Sequence, residues 1–213
     1  MEDVLDVYKR PYDENRPVIC MDESSKQLTK ETRVSRPARP GRAARYDTEY
    51  ERNGTCNIFI NFEPLKGKRK LKITDHRKKT DWAHFIKELV DEDYPKAEKI
   101  ILVMDNINTH TGASLYETFV PAKAKRILDK LEIHYTPKHG SWLNMAEIEF
   151  SHLSRQCLDR RIPDREVFIS ETSAWSKKRN EEGLAFDWQF TTADARIKLK
   201  KLYPVLAAEG QIL

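Results

Sequence analysis

Ile100-Ile101-Leu102-Val103-Met104-Asp105 is a row of five apolar residues closed by an acid. A continuous apolar run of this length suits a strand buried on both faces, as in the middle of a mixed or parallel sheet. The carboxyl end of such a strand is where the sheet opens to solvent and where open α/β sheets gather ligands. The pattern occurs once before, in Val18-Ile19-Cys20-Met21-Asp22. An aspartate also caps strands and starts turns, so a single run of this kind says little. Two of them, followed by a third acid in Gly140-Ser141-Trp142-Leu143-Asn144-Met145-Ala146-Glu147, say more. Hard divalent cations take oxygen ligands, and a pair of them about 3.5–4 Å apart clamps both oxygens of an in-line phosphoryl displacement.

Outward from these runs the hydrophobic period alternates between strand and helix. Residues 1–9 read as a short helix broken by Pro11, and 17–22 as the first central strand. Residues 45–52 and 55–62 flank Asn53-Gly54, a hairpin signal, and 68–74 alternate again. Trp82, Phe85, Ile86 and Leu89 stand at helical spacing in a helix from Asp81 to about Val90. The second central strand, 99–105, is followed by a helical stretch over 113–130 interrupted at Pro121, and by a short strand over 131–135. Helices follow over 144–158 and 164–180, and a last one over 194–202 before Pro204. Three strands of hairpin character, then helix, strand, helix, strand, helix, predict an α/β fold with a mixed five-stranded sheet flanked by helices.

The third acid is Glu147 or Glu149. The apolar stripe on that helix is Ala146, Phe150, Leu153 and Cys157, and both glutamates flank it. With Asn144 as N-cap, Glu147 falls in the first turn, nearest the sheet edge. Asn-x-x-Glu is equally the pattern of a capping box, in which the glutamate only returns a hydrogen bond to the cap. Glu23 follows Asp22 along the strand, faces the other way, and reads as an outlying or surface acid.

A chain of 213 residues fits one domain with a real core. Its net charge of +4 is uneven: residues 24–80 hold 16 Lys or Arg against 6 Asp or Glu, leaving the remainder at −6. A basic block beside an acidic remainder suits a polyanionic partner, though a solvated charged surface gives the same count. Arg33, Arg36, Arg39, Arg42 and Arg45 recur every third residue, with Pro37 and Pro40 between them. In polyproline II, with three residues per turn and a rise of ~3.1 Å, all five would line one edge ~9 Å apart, facing a phosphate backbone or an acidic surface on a second subunit. A basic linker with an incidental period is the other reading. Lys138 and His139 precede the third acid in a loop where they would meet a phosphate backbone. Trp142 would stack on a splayed base or pack beneath the loop. Asn106 and His110 lie close enough to Asp105 to contact phosphate or to orient the site. Cys20, Cys56 and Cys157 show no CxxC spacing and read as buried, reduced thiols. No apolar run approaches membrane-spanning length, and the N-terminus has no secretory pattern.

Val103-Met104-Asp105-Asn106-Ile107-Asn108-Thr109-His110 resembles the second-aspartate motif, DNxxxH, of bacterial insertion-sequence transposases in the mariner-related superfamily. Met21-Asp22-Glu23-Ser24 resembles their first-aspartate motif, and Tyr135 to Glu147 the block with their third acid, with the Leu-Asn-x-x-Glu frame kept and Trp142 and Met145-Ala146 in place of prolines and Ile. Trp188 to Arg196 is similar to the end of such proteins.

The resemblance implies a ribonuclease H-like fold whose first and fourth strands are parallel neighbours. It implies Asp22, Asp105 and Glu147 as catalytic residues holding two magnesium ions, with manganese able to substitute. The activity implied is cleavage and transfer of double-stranded DNA at transposon ends, in the cytoplasm of a bacterium at its nucleoid. The expected organisation is an N-terminal helix and linker over 1–16, a catalytic domain over 17–204 with a basic insertion at 31–45, and a tail over 205–213. Mariner relatives carry an insertion here that reaches a partner subunit, which implies a homodimer. Such proteins usually place helix-turn-helix domains before the catalytic domain. Here the first central strand starts by residue 17, so the expectation is a catalytic fragment or the product of a split gene. The rival readings are a DNA-binding regulatory remnant and another nuclease of the same fold.

Overall fold

A computed structural model of the chain describes residues 1–33, 36–45, 48–138 and 140–203. Five strands form one sheet: β1 (Val18–Glu31), β2 (Tyr50–Glu63), β3 (Lys68–Thr74), β4 (Ile100–Met104) and β5 (Leu131–Tyr135), in the order β3-β2-β1-β4-β5. β1–β2 and β2–β3 are antiparallel, and β1–β4 and β4–β5 are parallel. The predicted mixed sheet is therefore the one observed, with β1 and β4 as parallel neighbours.

The apolar run of β4 is buried along its whole length and feeds two cores. Ile100, Leu102 and Met104 join Trp82, Phe85, Ile86 and Leu89 on one face of the sheet. That face is covered by α2 (Lys79–Glu88), α3 (Gly112–Thr118) and α4 (Pro121–Asp129), the last two parted at Pro121 as its missing N–H predicts. Ile101 and Val103 join Val4, Leu5, Leu143 and Ala146 on the other face. There α1 (Glu2–Tyr8) and α5 (Met145–Leu153) lie against the sheet, and α7 (Thr192–Lys198) packs on α1. α6 (Arg165–Glu182) closes a third cluster with Phe168 and Trp175 packed on Leu28 and Ile58. Burying each such side chain stabilises by roughly 1.5–3 kcal/mol, so the central strand anchors both layers. Cys20, Cys56 and Cys157 are free and buried. No helix among the described residues is long and apolar enough to cross a membrane.

Three expectations fail. Asn53-Gly54 makes no hairpin turn, because β2 runs straight through it for 14 residues. Gln27 pairs with Thr55 and Thr29 with Arg52, so Leu28 stands opposite both Asn53 and Gly54. This is a bulge, and Gly54 at φ 88° supplies the positive φ that a glycine-type bulge and a tight hairpin both use. The first strand also continues nine residues past Asp22. The arginine row is not polyproline II either. Arg36 and Arg45 exchange backbone hydrogen bonds of 3.0 Å each, and Arg39 and Arg42 exchange bonds of 3.0 and 2.8 Å. The segment is a small hairpin, turned by Pro40-Gly41 with Gly41 at φ 76°, the chemistry of a type II turn. Its arginines stand in two cross-strand pairs rather than along one edge, and Arg33 follows β1 outside that hairpin. The expected tail over 205–213 lies outside the described residues.

Glu149 is completely buried between Arg69 of β3 and Arg179 of α6. Arg179 Nη2 donates to Glu149 Oε1 at 3.0 Å, and Arg69 Nε lies 2.8 Å from Glu149 Oε2 as a close ion contact without hydrogen-bond alignment. Replacing Glu149 with Ala strands two buried guanidinium groups. We expect Glu149→Ala to lower unfolding free energy by about 3–5 kcal/mol, measured as the urea midpoint at unchanged slope. A drop below about 1 kcal/mol, the scale of an exposed pair, would show that the triad does not tie these elements together.

Candidate active site

The pairing Val18↔Ile101, Ile19↔Leu102, Cys20↔Val103 sets the first two acids. Carried two residues on, the same offset brings Asp22 level with Asp105, the first residue past β4. Side chains alternate along β1, so Asp22 shares the face of Cys20, toward α5, and Glu23 shares the face of Met21, toward α2. Asp22 is 8% exposed. Its backbone neighbour steadies it: the Glu23 N–H donates to Asp22 Oδ1 at 2.8 Å.

The third acid comes on α5, and Asn144 sets that helix. Its Oδ1 caps the helix by accepting from the Ala146 N–H at 3.2 Å, while its Nδ2 donates to the Met21 carbonyl at 2.8 Å. One buried side chain thus fixes the helix start against the residue before Asp22. Asn144 gives its own N–H to the Ser141 carbonyl at 2.7 Å, so no capping box engages Glu147. Glu147 stands exposed in the first turn, while Glu149, closed in by Arg69 and Arg179, faces the interior. Helical period left the two glutamates level; in the fold Glu149 is the one enclosed by cationic partners and Glu147 the one exposed.

The three acids feel one another. Burial pushes the Asp22 carboxyl up, the Glu23 N–H opposes it, and the nearby Glu147 and Asp105 raise it further, to about 7. Carboxylates gathered this way lack positive charge, and three oxygen donors match what a hard divalent cation takes. The donor set fits such an ion. Among the described residues, no three His, Cys, Asp or Glu side chains stand in coordinating geometry as they are. Asp105 places Oδ1 2.5 Å from His110 Nδ1.

His110 is fully buried, which removes it from any contact with a phosphate. Its Nε2 faces Glu23 Oε2 at 3.1 Å, and its ring stacks on Trp82 at 5.8 Å and 25°. Burial opposes the charged ring, yet hydrogen bonds to Asp105 and then Glu23 outweigh it and raise its pKa to about 9. Glu23 is therefore no surface acid: its side chain is 8% exposed and also meets Arg77 Nη1 at 3.7 Å. Only the alternation along β1 hinted at its direction. Asn106 is exposed beside Asp105, and Lys138 is exposed ahead of the third acid; His139 lies outside the described residues. Trp142 is 44% exposed and packs one face on Trp188 (6.4 Å, 25°) and Phe190 (6.0 Å, 71°).

No curated protein sequence matches this chain. Among solved structures, the Mos1 mariner paired end complex with Mn aligns over 85% of the chain with 16% identity and a TM-score of 0.55. The Mos1 transposase paired-end complex with left transposon end aligns over 85% with 15% identity and a TM-score of 0.56. A pre-cleavage Mos1 transpososome aligns over 88% with 14% identity and a TM-score of 0.54. The chain spans 55–60% of the length of these proteins. At such identity the likeness concerns the fold, which is ribonuclease H-like. The sequence itself carries the rest: residues 17–169, from the strand bearing Asp22 through the helix bearing Glu147 and beyond, match the DDE superfamily endonucleases, and the chain belongs to that family.

Proposed function

We propose that this chain is the catalytic domain of a transposase that cuts DNA strands at transposon ends and joins them to a target, with Asp22, Asp105 and Glu147 as its acidic triad. The observation that carries the reading is the β1–β4 register that sets the buried Asp22 level with Asp105, with Asn144 holding the helix of Glu147 against the same strand. Asp22, Asp105 and Glu147 would hold magnesium or manganese, and bound there such ions supply charge neutralisation at the reacting phosphate.

The chain's own residues do the positioning. Asn144 keeps α5, and with it Glu147, at a fixed distance from β1. Lys138, exposed in the loop that leads to Asn144, would meet the DNA backbone. Trp142 presents a half-open indole, backed by Trp188 and Phe190, on which an unpaired base would stack. The paired arginines of the 36–45 hairpin would lie along phosphates or against a second copy of the chain in a complex that holds two DNA ends. Phosphate contacts of this kind position DNA without reading its sequence.

Two measurements test the proposal. In a magnesium-dependent nicking assay, Asp22→Asn, Asp105→Asn and Glu147→Gln should each lower the rate by about a hundredfold or more, the scale of removing one electrostatic stabiliser of a transition state. DNA binding should persist, since each change removes a negative charge. Full activity of Glu147→Gln would remove that residue from the triad. A wild-type chain that binds DNA and nicks none under magnesium or manganese would instead be a regulatory remnant.

The second measurement is affinity across a salt series. Replacing Arg39 and Arg42 together with Ala should flatten the slope of log affinity against log salt by up to about 2, close to one for each phosphate no longer neutralised. The effect should be the same on terminal-repeat and scrambled duplexes. An unchanged slope excludes the hairpin from the DNA interface, and a strong preference for one sequence contradicts phosphate-only binding.

A further inference from the structure

Glu23 and Asp105 lie on opposite sides of one buried ring. Glu23 Oε2 is 3.1 Å from His110 Nε2, and His110 Nδ1 is 2.5 Å from Asp105 Oδ1. The ring is completely buried and stacked on Trp82 at 5.8 Å, and the His110 carbonyl accepts from Tyr135 Oη at 3.0 Å. Glu23 is held in turn by Arg77 at 3.7 Å from its other oxygen. A carboxylate oxygen stands within hydrogen-bond reach of each ring nitrogen, so the ring is gripped from both sides and a protonated nitrogen finds its acceptor there. Take away the acceptor at Nε2, and a buried donor is orphaned. Held from one side only, the ring is free to turn, and turning disturbs the bond to Asp105.

We infer that Glu23 is a positioning residue: acting through His110, it fixes the rotamer of Asp105 so that the second carboxylate oxygen is presented to a divalent cation. The inference rests on Asp105 as a metal ligand and adds the partner that orients it. A carboxylate–imidazole–carboxylate chain of this kind sets ligand direction rather than ligand identity, and removal of such an outer partner typically weakens metal affinity about 10–100-fold. The arrangement also gives a role to the acid that follows Asp22 on the opposite face of β1. It does not join Asp22; it reaches Asp105 from behind.

The test separates orientation from mere stability. Manganese binding to the full chain, followed by the decline of the free-ion EPR signal at one fixed pH, is compared for wild type, Asp105→Asn, Glu23→Gln and Glu23→Ala. Proton NMR of the metal-free proteins follows the His110 Nδ1–H, which the short bond to Asp105 should place far downfield. Glu23→Ala should weaken manganese binding about 10–100-fold and abolish the downfield resonance. Glu23→Gln, whose amide oxygen still accepts from Nε2, should keep the resonance and stay near wild type. If Glu23→Ala does not fold, Glu23→Asp, which withdraws the carboxylate by one methylene, should show the same two effects. Wild-type affinity together with an unchanged resonance in whichever of these variants folds would overturn the relay. If Asp105→Asn binds manganese as wild type does while the resonance still depends on Glu23, then Asp105 is no metal ligand: the underlying reading fails, and the proposal fails with it.

Discussion

The parallel pairing of β1 with β4 is the constraint on which the site depends. β4 is buried along its whole length and β1 from Ile19 to Asp22, so their register is held by packing as well as by hydrogen bonds. A slip of one residue would turn Ile19 and Met21 out of one core and Cys20 out of the other, and would carry Asp22 to the wrong face. The apolar cores therefore specify the position of a charged residue that contributes nothing to them. Asn144 extends this control to a third element, since the atom it grips is the Met21 carbonyl, one residue before Asp22.

α5 carries two acids with opposite fates. Glu149 is enclosed by Arg69 and Arg179 and holds β3, α5 and α6 together. Glu147, two residues earlier, stands exposed in the first turn and faces the open edge. Across the sheet the same division recurs on β1, where Asp22 points toward α5 and Glu23 toward α2. Glu23 and Glu149 meet basic side chains behind or below the edge where Asp22, Asp105 and Glu147 gather, and of those three Asp105 leans on His110. Charge compensation is thus built outward from the structure and left incomplete at one place.

Much of this was legible in the chain. Five apolar residues closed by Asp105 describe a strand and its end, because burial on both faces is a local pattern. The break at Pro121 and the short strand at 131–135 follow from chemistry within a few residues. Other features required knowledge of what lies across the fold. Asn53-Gly54 announces positive φ, and a bulge uses that as readily as a hairpin does. An arginine at every third position fits polyproline II, yet it also fits a hairpin folded at Pro40-Gly41 with Arg36 opposite Arg45. Glu23 and His110 are 87 positions apart, and no period joins them. Glu149 was separable from Glu147 only through Arg69 and Arg179, which arrive on different elements.

The arginine hairpin carries one further consequence. Like charges set directly opposite one another weaken a strand pair, and here Arg36 faces Arg45 and Arg39 faces Arg42. Its backbone bonds favour closure while its side chains resist it. Whatever lays negative charge across those pairs completes the hairpin as it binds, so that folding and occupancy become a single equilibrium. Simple salt acts on the two halves of that equilibrium in opposite directions: screening eases the hairpin shut and at the same time loosens its hold on a polyanion.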